Sequence, residues 1–399
     1  MTLLTSSKEK AVFLGAPFVA VSMLWMATIL PLSPIYVCVI PLGLAICYGG
    51  RFQHIKFSTY FAYGGQLLFC WYLYLLQILN GAAQHDIIIL IFAILFYIMS
   101  DYMISPVSNF SDIKKIANLF LIIGALYILF DFYHRVRYAD TTNIPPWILN
   151  NPIFSFYIYK EAGIHGDSNA TGIVSVVLLG FNYYYRKLLV KGSKEYKYNT
   201  IIKFALLALW ITTFCRSAWF AFITFLIIMF FFKQNIFIKF TGTIFIFIGI
   251  IYAISKFIMD PSFGTKIEIF QKTLYFLQTY PTHELLFGVG PNNSCDVIGY
   301  YAHNFISIYI IEYGIIGFVL YALMFFFIIF DVGKPALFVL IPYSINALSY
   351  TPLHITYVFS ALVLIKHCER LRPKQLQLTS VKKHTRNLFT KYVFAFGVK

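Results

Sequence analysis

The residue most out of place is Arg216, set in WITTFCRSAWFAF between two apolar stretches with almost no loop to carry it into water. A guanidinium is costly to desolvate unless it meets an anion, and its planar fork suits phosphate oxygens. An Arg that snorkels to a membrane boundary would occupy the same sequence. The second constellation is LLFGVGPNNSCDVIGYYAHNFISIYIIEYGIIGF, residues 285–318. Gly288, Gly290 and Pro291 make a turn able to present backbone N–H groups. His303 and Asn304 then open a long apolar helix, whose first amides are unpaired and carry partial positive charge, as a phosphate requires. The plainer account makes Asn304 a helix cap and His303 an interface residue. The third is AGIHGDSNATG, residues 162–172, with Asp167, Ser168 and Asn169 directly before a helix expected to begin near Ala170. N-capping accounts for one of these, Ser168 above all, while Asp167 could also hold a sugar hydroxyl.

Metal chemistry finds no support in the sequence. The six cysteines (Cys38, Cys47, Cys70, Cys215, Cys295 and Cys368) show no ligand spacing, and most lie within apolar runs as small core residues. No metal site and no cofactor are expected.

The elements that must position these residues follow from composition. Of 399 residues, 59% are hydrophobic, 20% aromatic and 12% charged, against roughly 45–50% apolar and about 25% charged in ordinary soluble domains. No soluble fold of this size could cover so much apolar surface. The expected fold class is an all-α polytopic membrane protein. A spanning helix needs about 20 mostly apolar residues. Such runs occur near 11–30, 34–50, 57–79, 86–105, 116–134, 169–185, 200–215, 217–232, 237–256, 304–330, 335–349 and 351–366, giving about twelve transmembrane helices in one domain over 1–366.

The net charge of +15 is not a nucleic-acid footprint, because its cations sit in short clusters between apolar runs. With the N-terminus placed in the cytoplasm, all but seven of the 31 Lys and Arg fall on the cytoplasmic side, including those from Lys366 to Lys399. Both termini are then inside, and 367–399 is a basic tail that anchors to anionic lipid head groups. Two larger external loops remain, about 135–168 and 257–303, of a length that is usually functional. In the second, Ile267, Phe270, Leu274 and Leu277 recur at helical spacing, predicting an amphipathic helix over 264–279 at the membrane surface. Mid-span charge is scarce apart from Glu312 and His354, with Asp101 near a helix end. Ionisable residues collect instead at the outer mouth: Arg135, Arg137, His165, Asp167, Arg216, Lys266, Lys272, His283, Glu284 and His303. That distribution favours a reaction at the external interface over passage through the bilayer.

FCRSAW at the apex of a helical hairpin, then GVGPNNS and HNFISIYIIEYGIIG after a large external loop, resembles the O-antigen ligase and O-antigen polymerase superfamily. The motifs cover about 160–320, and the His-Asn start followed by Glu312 and Gly314-Ile-Ile-Gly317 is the most specific part. The resemblance implies a GT-C-like, all-helical glycosyltransferase of the bacterial inner membrane. Such an enzyme moves a glycan from undecaprenyl pyrophosphate to an acceptor hydroxyl, with inversion and without a metal, on the periplasmic face. It implies that Arg216 matches the family's pyrophosphate-binding Arg and His303 its periplasmic His, the two catalytic residues. The family tends to carry an Arg early in the large external loop. Here that loop has only Lys266 and Lys272, which supply charge without the bidentate fork.

Fixed cations at the leaving pyrophosphate stabilise the transition state more than the ground state. Neutral His303 could take the acceptor's proton; charged, it would bind phosphate instead. Asp167, Asn169, Lys266, Lys272, Asn304 and Tyr301 are the expected substrate contacts. Tyr300, Trp147, Phe154 and Tyr157 are further aromatics able to stack on sugars. The partners are the undecaprenyl-pyrophosphate-linked oligosaccharide and the lipid bilayer, with room for a chain-length regulator and none for nucleic acid. The Asp-Ser-Asn before a helix and the modest, Arg-free second loop favour a polymerase. The alternatives are a ligase that transfers polymer to lipid A–core and, from another class, a lipid-linked oligosaccharide flippase.

Overall fold

The structure is a computed structural model, which describes residues 7–24, 33–47, 55–80, 84–142, 144, 157–160, 162–165, 167–231, 242, 261–299, 303–350 and 355–372. Among the described residues the regular structure is entirely helical. The α-helices are α1 (Ser7–Val21), α2 (Val39–Cys47), α3 (Phe57–Asn80), α4 (Gln84–Ile104), α5 (Phe110–Tyr138) and α6 (Tyr157–Lys160). They continue with α7 (Ser168–Arg186), α8 (Lys194–Ile211), α9 (Arg216–Phe231), α10 (Pro261–Thr279), α11 (Thr282–Phe287) and α12 (Ser294–Ile298). The last are α13 (Phe305–Val332), α14 (Leu337–Ala347) and α15 (Thr356–Leu371).

Among the described residues, four helices are long and apolar enough to cross a membrane: Phe57–Leu79, Ile87–Ile104, Phe110–Tyr138 and Phe305–Val332. They coincide with the apolar runs at 57–79, 86–105, 116–134 and 304–330. The other runs fall on shorter or less apolar helices, and 237–256 lies outside the described residues apart from Gly242. Helix starts follow local chemistry. Ser193 Oγ accepts from the Tyr196 amide to begin α8, and Asn304 Oδ1 accepts from the Ile306 amide to begin α13. At the other end of α13, Gly333 at φ 87° closes the helix before Lys334-Pro335.

α13 lies along α3, and α15 packs on α4. α7 sits at the centre, packed on α5, α8, α9 and α14 and buried along nearly its whole length. Small residues permit this closeness. A Cβ on Gly172 would stand 2.5 Å from Cys215 Sγ, so only glycine lets α7 approach the start of α9.

Two sequence expectations change, and a third gains detail. The helix over 264–279 exists within α10, but Ile269, Thr273 and Phe276 are buried while Ile267, Phe270 and Leu274 are 45%, 57% and 42% exposed. The stripe expected to lie at a membrane surface faces outward, and the neighbouring stripe meets the protein. Lys366, expected at the start of a solvated basic stretch, is buried, as is His367, because α15 runs on to Leu371. The rest of the tail, 373–399, lies outside the described residues. Arg135, expected at the outer mouth, is fully buried at the end of α5. It donates to Asp131 Oδ2 (2.6 Å) and to the carbonyls of Tyr159 (3.1 Å) and Lys160 (2.6 Å), pinning the returning loop to the bundle.

Candidate functional site

The apex between α8 and α9 is a tight reversal. Thr212 caps α8, Phe214 takes the left-handed region at φ 53°, and Arg216 begins α9. A bulky residue holds such a φ only where its surroundings dictate it. Here the Phe214 ring stacks on Tyr159 with centroids 5.6 Å apart. Arg216 therefore stands in the first turn of a helix, where the backbone already presents positive charge. Side chain and helix end both favour an anion at the same place.

The Asp-Ser-Asn segment meets this apex. Asp167, rather than Ser168, is the N-cap of α7; its Oδ1 accepts from the Asn169 amide at 2.9 Å, and Ser168 is buried in the first turn. Asp167 Oδ2 also accepts from Asn169 Nδ2 at 3.0 Å. Asn169 Oδ1 in turn accepts from Cys215 Sγ (3.1 Å) and Ser217 Oγ (3.2 Å), on either side of Arg216. One carboxamide thus ties the two segments together.

His303 arrives from α13, which is broken in its middle. Gly314 has φ 68° and ψ 178°, so the outer part of α13 ends there and its last carbonyls lose their helical partners. They are satisfied from outside the helix. Val289 N donates to Ile311 O (2.8 Å), Gly290 N to Glu312 O (3.1 Å) and the Tyr72 hydroxyl to Tyr313 O (2.6 Å). The GVG turn is thus spent on the helix break and not on presenting amides to a ligand. Irregular backbone inside a bundle is tolerated only where protein satisfies it in this way. Asn304 caps the outer segment, and His303 stands just before it.

Burial pushes the His303 imidazole below the ordinary histidine value; the Asp167 charge pulls it up, and Lys160 and Lys266 push it further down. Asp167 and Lys160 also act electrostatically on the Cys215 thiol, next to Arg216, and Asp167 acts on Tyr350. Asp167 is the common neighbour that brings the apex, the α7 cap and the α13 start to one end of the bundle. Lys266 Nζ donates to Ser349 Oγ at 3.1 Å. Lys272 is engaged with Glu268 at 2.9 Å and with the Ile298 carbonyl, holding α12 to α10 on the approach to His303. Tyr300, Tyr301, Trp147, Phe154 and His354, together with the Tyr157 side chain, lie outside the described residues. Lys160, Ser349 and Tyr350 escaped the sequence reading, since each looks like an ordinary loop residue. His165, held to the Tyr127 hydroxyl, is pushed down to about 4 by burial.

A second constellation lies at the opposite end, where α3, α4, α13 and α15 meet. Lys366 Nζ donates to Asp101 Oδ2 and Asp331 Oδ2, each at 2.7 Å, and to Thr59 Oγ1 at 3.1 Å. Asp331 also accepts from Ser58, Thr59 and Tyr97, and Asp101 accepts from Tyr63 and pairs with His367 Nε2. The two carboxylates are met by one ammonium, an imidazole and four hydroxyls, so each buried charge has partners of its own. Among the described residues, no group of three or more His, Cys, Asp or Glu side chains is placed to hold a metal ion.

No family model matches the chain, and no curated protein matches it.

Proposed function

We propose that the chain is an O-antigen-type polysaccharide polymerase, an inverting and metal-independent glycosyltransferase of the bacterial inner membrane. It joins undecaprenyl-pyrophosphate-linked repeat units on the periplasmic side. In this reading the Asp167 end of a twelve-span, GT-C-like bundle faces the periplasm, and both termini face the cytoplasm. The observation that carries it is the convergence on Asp167 of His303 and of the apex bearing Arg216. A cation beside a poised imidazole is what glycosyl transfer from a pyrophosphate needs.

The acceptor hydroxyl of one lipid-linked repeat attacks the anomeric carbon of the growing chain. The bond from that carbon to the pyrophosphate oxygen breaks, undecaprenyl pyrophosphate departs, and the hydroxyl proton passes to neutral His303. Arg216, with the first amides of α9, meets the charge that grows on the leaving group; Lys160 and Lys266 add to the same field. Asp167, held in place by Asn169, orients the acceptor sugar.

A lipopolysaccharide gel from a strain lacking the gene tests the reading. Lipid A–core carrying a single repeat is the expected result. Bare core with long polymer stranded on the carrier lipid would replace it with a ligase. Bare core with no external lipid-linked repeats would replace it with a flippase.

A further inference from the structure

At the end of the bundle that holds Lys366, a cavity of about 420 Å³ opens between α7, α8 and α9. Its rim carries Arg186, Lys187, Lys191 and Lys203, and no acidic residue among the described residues lines it. The acid on α8, Glu195, is held in an ion pair of 2.7 Å with Lys114 of α5. The cations converge: Arg186, Lys191 and Lys203 all act electrostatically on the Tyr196 hydroxyl at the mouth. Arg186 Nη2 donates to that hydroxyl at 2.9 Å, while its Nη1 is buried with no acceptor among the described residues. A buried guanidinium nitrogen without an acceptor, on a side chain that lines the cavity, asks for one.

The inner walls have the opposite character, with Leu179, Leu207, Phe222 and Leu226 lining them. Beside the cavity, Ile201 and Phe204 of α8 and Phe220 and Ile223 of α9 are 67%, 62%, 56% and 50% exposed. In a helical membrane protein such faces meet acyl chains. A ligand that satisfies both halves has an anionic head and a hydrocarbon tail. A free phosphate would leave the apolar wall empty, and a zwitterionic lipid would bring its own ammonium to a rim that is already cationic.

We propose that this cavity binds an anionic glycerophospholipid of the phosphatidylglycerol class, with its phosphate on Arg186 and Lys203 and an acyl chain along Leu207 and Phe222. Basic pockets between helices at a cytoplasmic leaflet take such head groups. The site is separate from the one assigned to glycosyl transfer, and it stands or falls independently of that activity.

The full chain is purified in neutral detergent and titrated with phosphatidylglycerol, phosphatidylcholine or inorganic phosphate, following the thermal unfolding midpoint and lipid retention by intact-complex mass spectrometry. Phosphatidylglycerol is expected to raise the midpoint and remain bound, while the other two do neither. Arg186→Gln with Lys203→Gln is expected to weaken retention on the order of tenfold. Should that pair fail to fold, Lys191→Gln, an exposed position, is expected to weaken it by a smaller factor. Equal effects of phosphatidylcholine would overturn the proposal as unspecific solvation. Equal effects of phosphate would reduce the site to a free-anion site, and wild-type retention by the folded variants would place the head group elsewhere.

Discussion

Gly288 and Gly314 meet main chain to main chain: a Cβ on either would lie 2.6 Å from the amide nitrogen of the other. Both adopt a backbone conformation open essentially to glycine alone, with φ 79° and ψ 172° at Gly288 and φ 68° and ψ 178° at Gly314. This crossing locks the GVG turn onto the break in α13. It thereby fixes where the outer segment, and His303 before it, can stand.

Gly314→Ala is therefore expected to cost roughly 1–3 kcal/mol for the backbone conformation alone. The clash with the Leu286 carbonyl, 2.3 Å from the new Cβ, adds to that cost. The thermal midpoint of the purified variant should fall and activity should fall with it. Gly264→Ala, where a Cβ meets nothing within 4 Å, serves as the unaffected control. A Gly314→Ala protein with a wild-type midpoint would mean that α13 can straighten.

Lys366 is the only ammonium among the described residues of its buried cluster, and its removal leaves two carboxylates facing one imidazole. Breaking a buried pair from one side costs about 3–5 kcal/mol. Lys366→Met should thus lower stability severely. Adding Asp331→Asn, which removes one of the two carboxylates left facing each other, should recover much of the loss. Thermal unfolding of the two variants checks this, and a double variant no better than the single one would remove charge balance as the explanation.

The two ends of the bundle were unequally legible in the sequence. Arg216 stood out because it interrupts apolar sequence, and the His-Asn start announced a helix with its own cap. Lys366 was hidden by its position: a lysine just after an apolar run looks like a flanking charge. Its partners stand 265 and 35 positions away, beyond the reach of any local pattern. Arg135 misled for the same reason, although its pairing with Asp131 at the i,i+4 spacing was visible in principle. The helix break at Gly314 left no trace either, because a glycine permits a positive φ without requiring one. Long apolar helices are fixed by composition; which polar residues turn inward is fixed by neighbours distant in the chain.

Arg216→Ala should lower the rate of repeat-unit polymerisation by about 10²–10³ while membrane levels of the protein hold. Arg216→Lys keeps the charge without the fork and should recover only part of that loss. In vitro extension of lipid-linked repeats, with the membrane fraction quantified in parallel, is the measurement. Full activity of Arg216→Ala would remove it from the leaving-group site and leave it as a boundary residue.

The pH profile separates the two roles open to His303. Burial and the charges of Lys160 and Lys266 hold its imidazole below the ordinary histidine value of about 6.5, so it is neutral at pH 7 in the free protein. A base must be deprotonated, so kcat/KM should rise with pH through an acidic limb below that value and stay level above it. Donor binding brings a pyrophosphate close, which favours the charged form, so the corresponding limb in kcat should lie at higher pH. His303→Gln should abolish both limbs along with most of the rate. A cation that only binds phosphate would behave in the reverse sense: activity would fall as pH rises through its pKa, and His303→Arg would retain it. The shape of a single profile, read with those two variants, therefore assigns the proton.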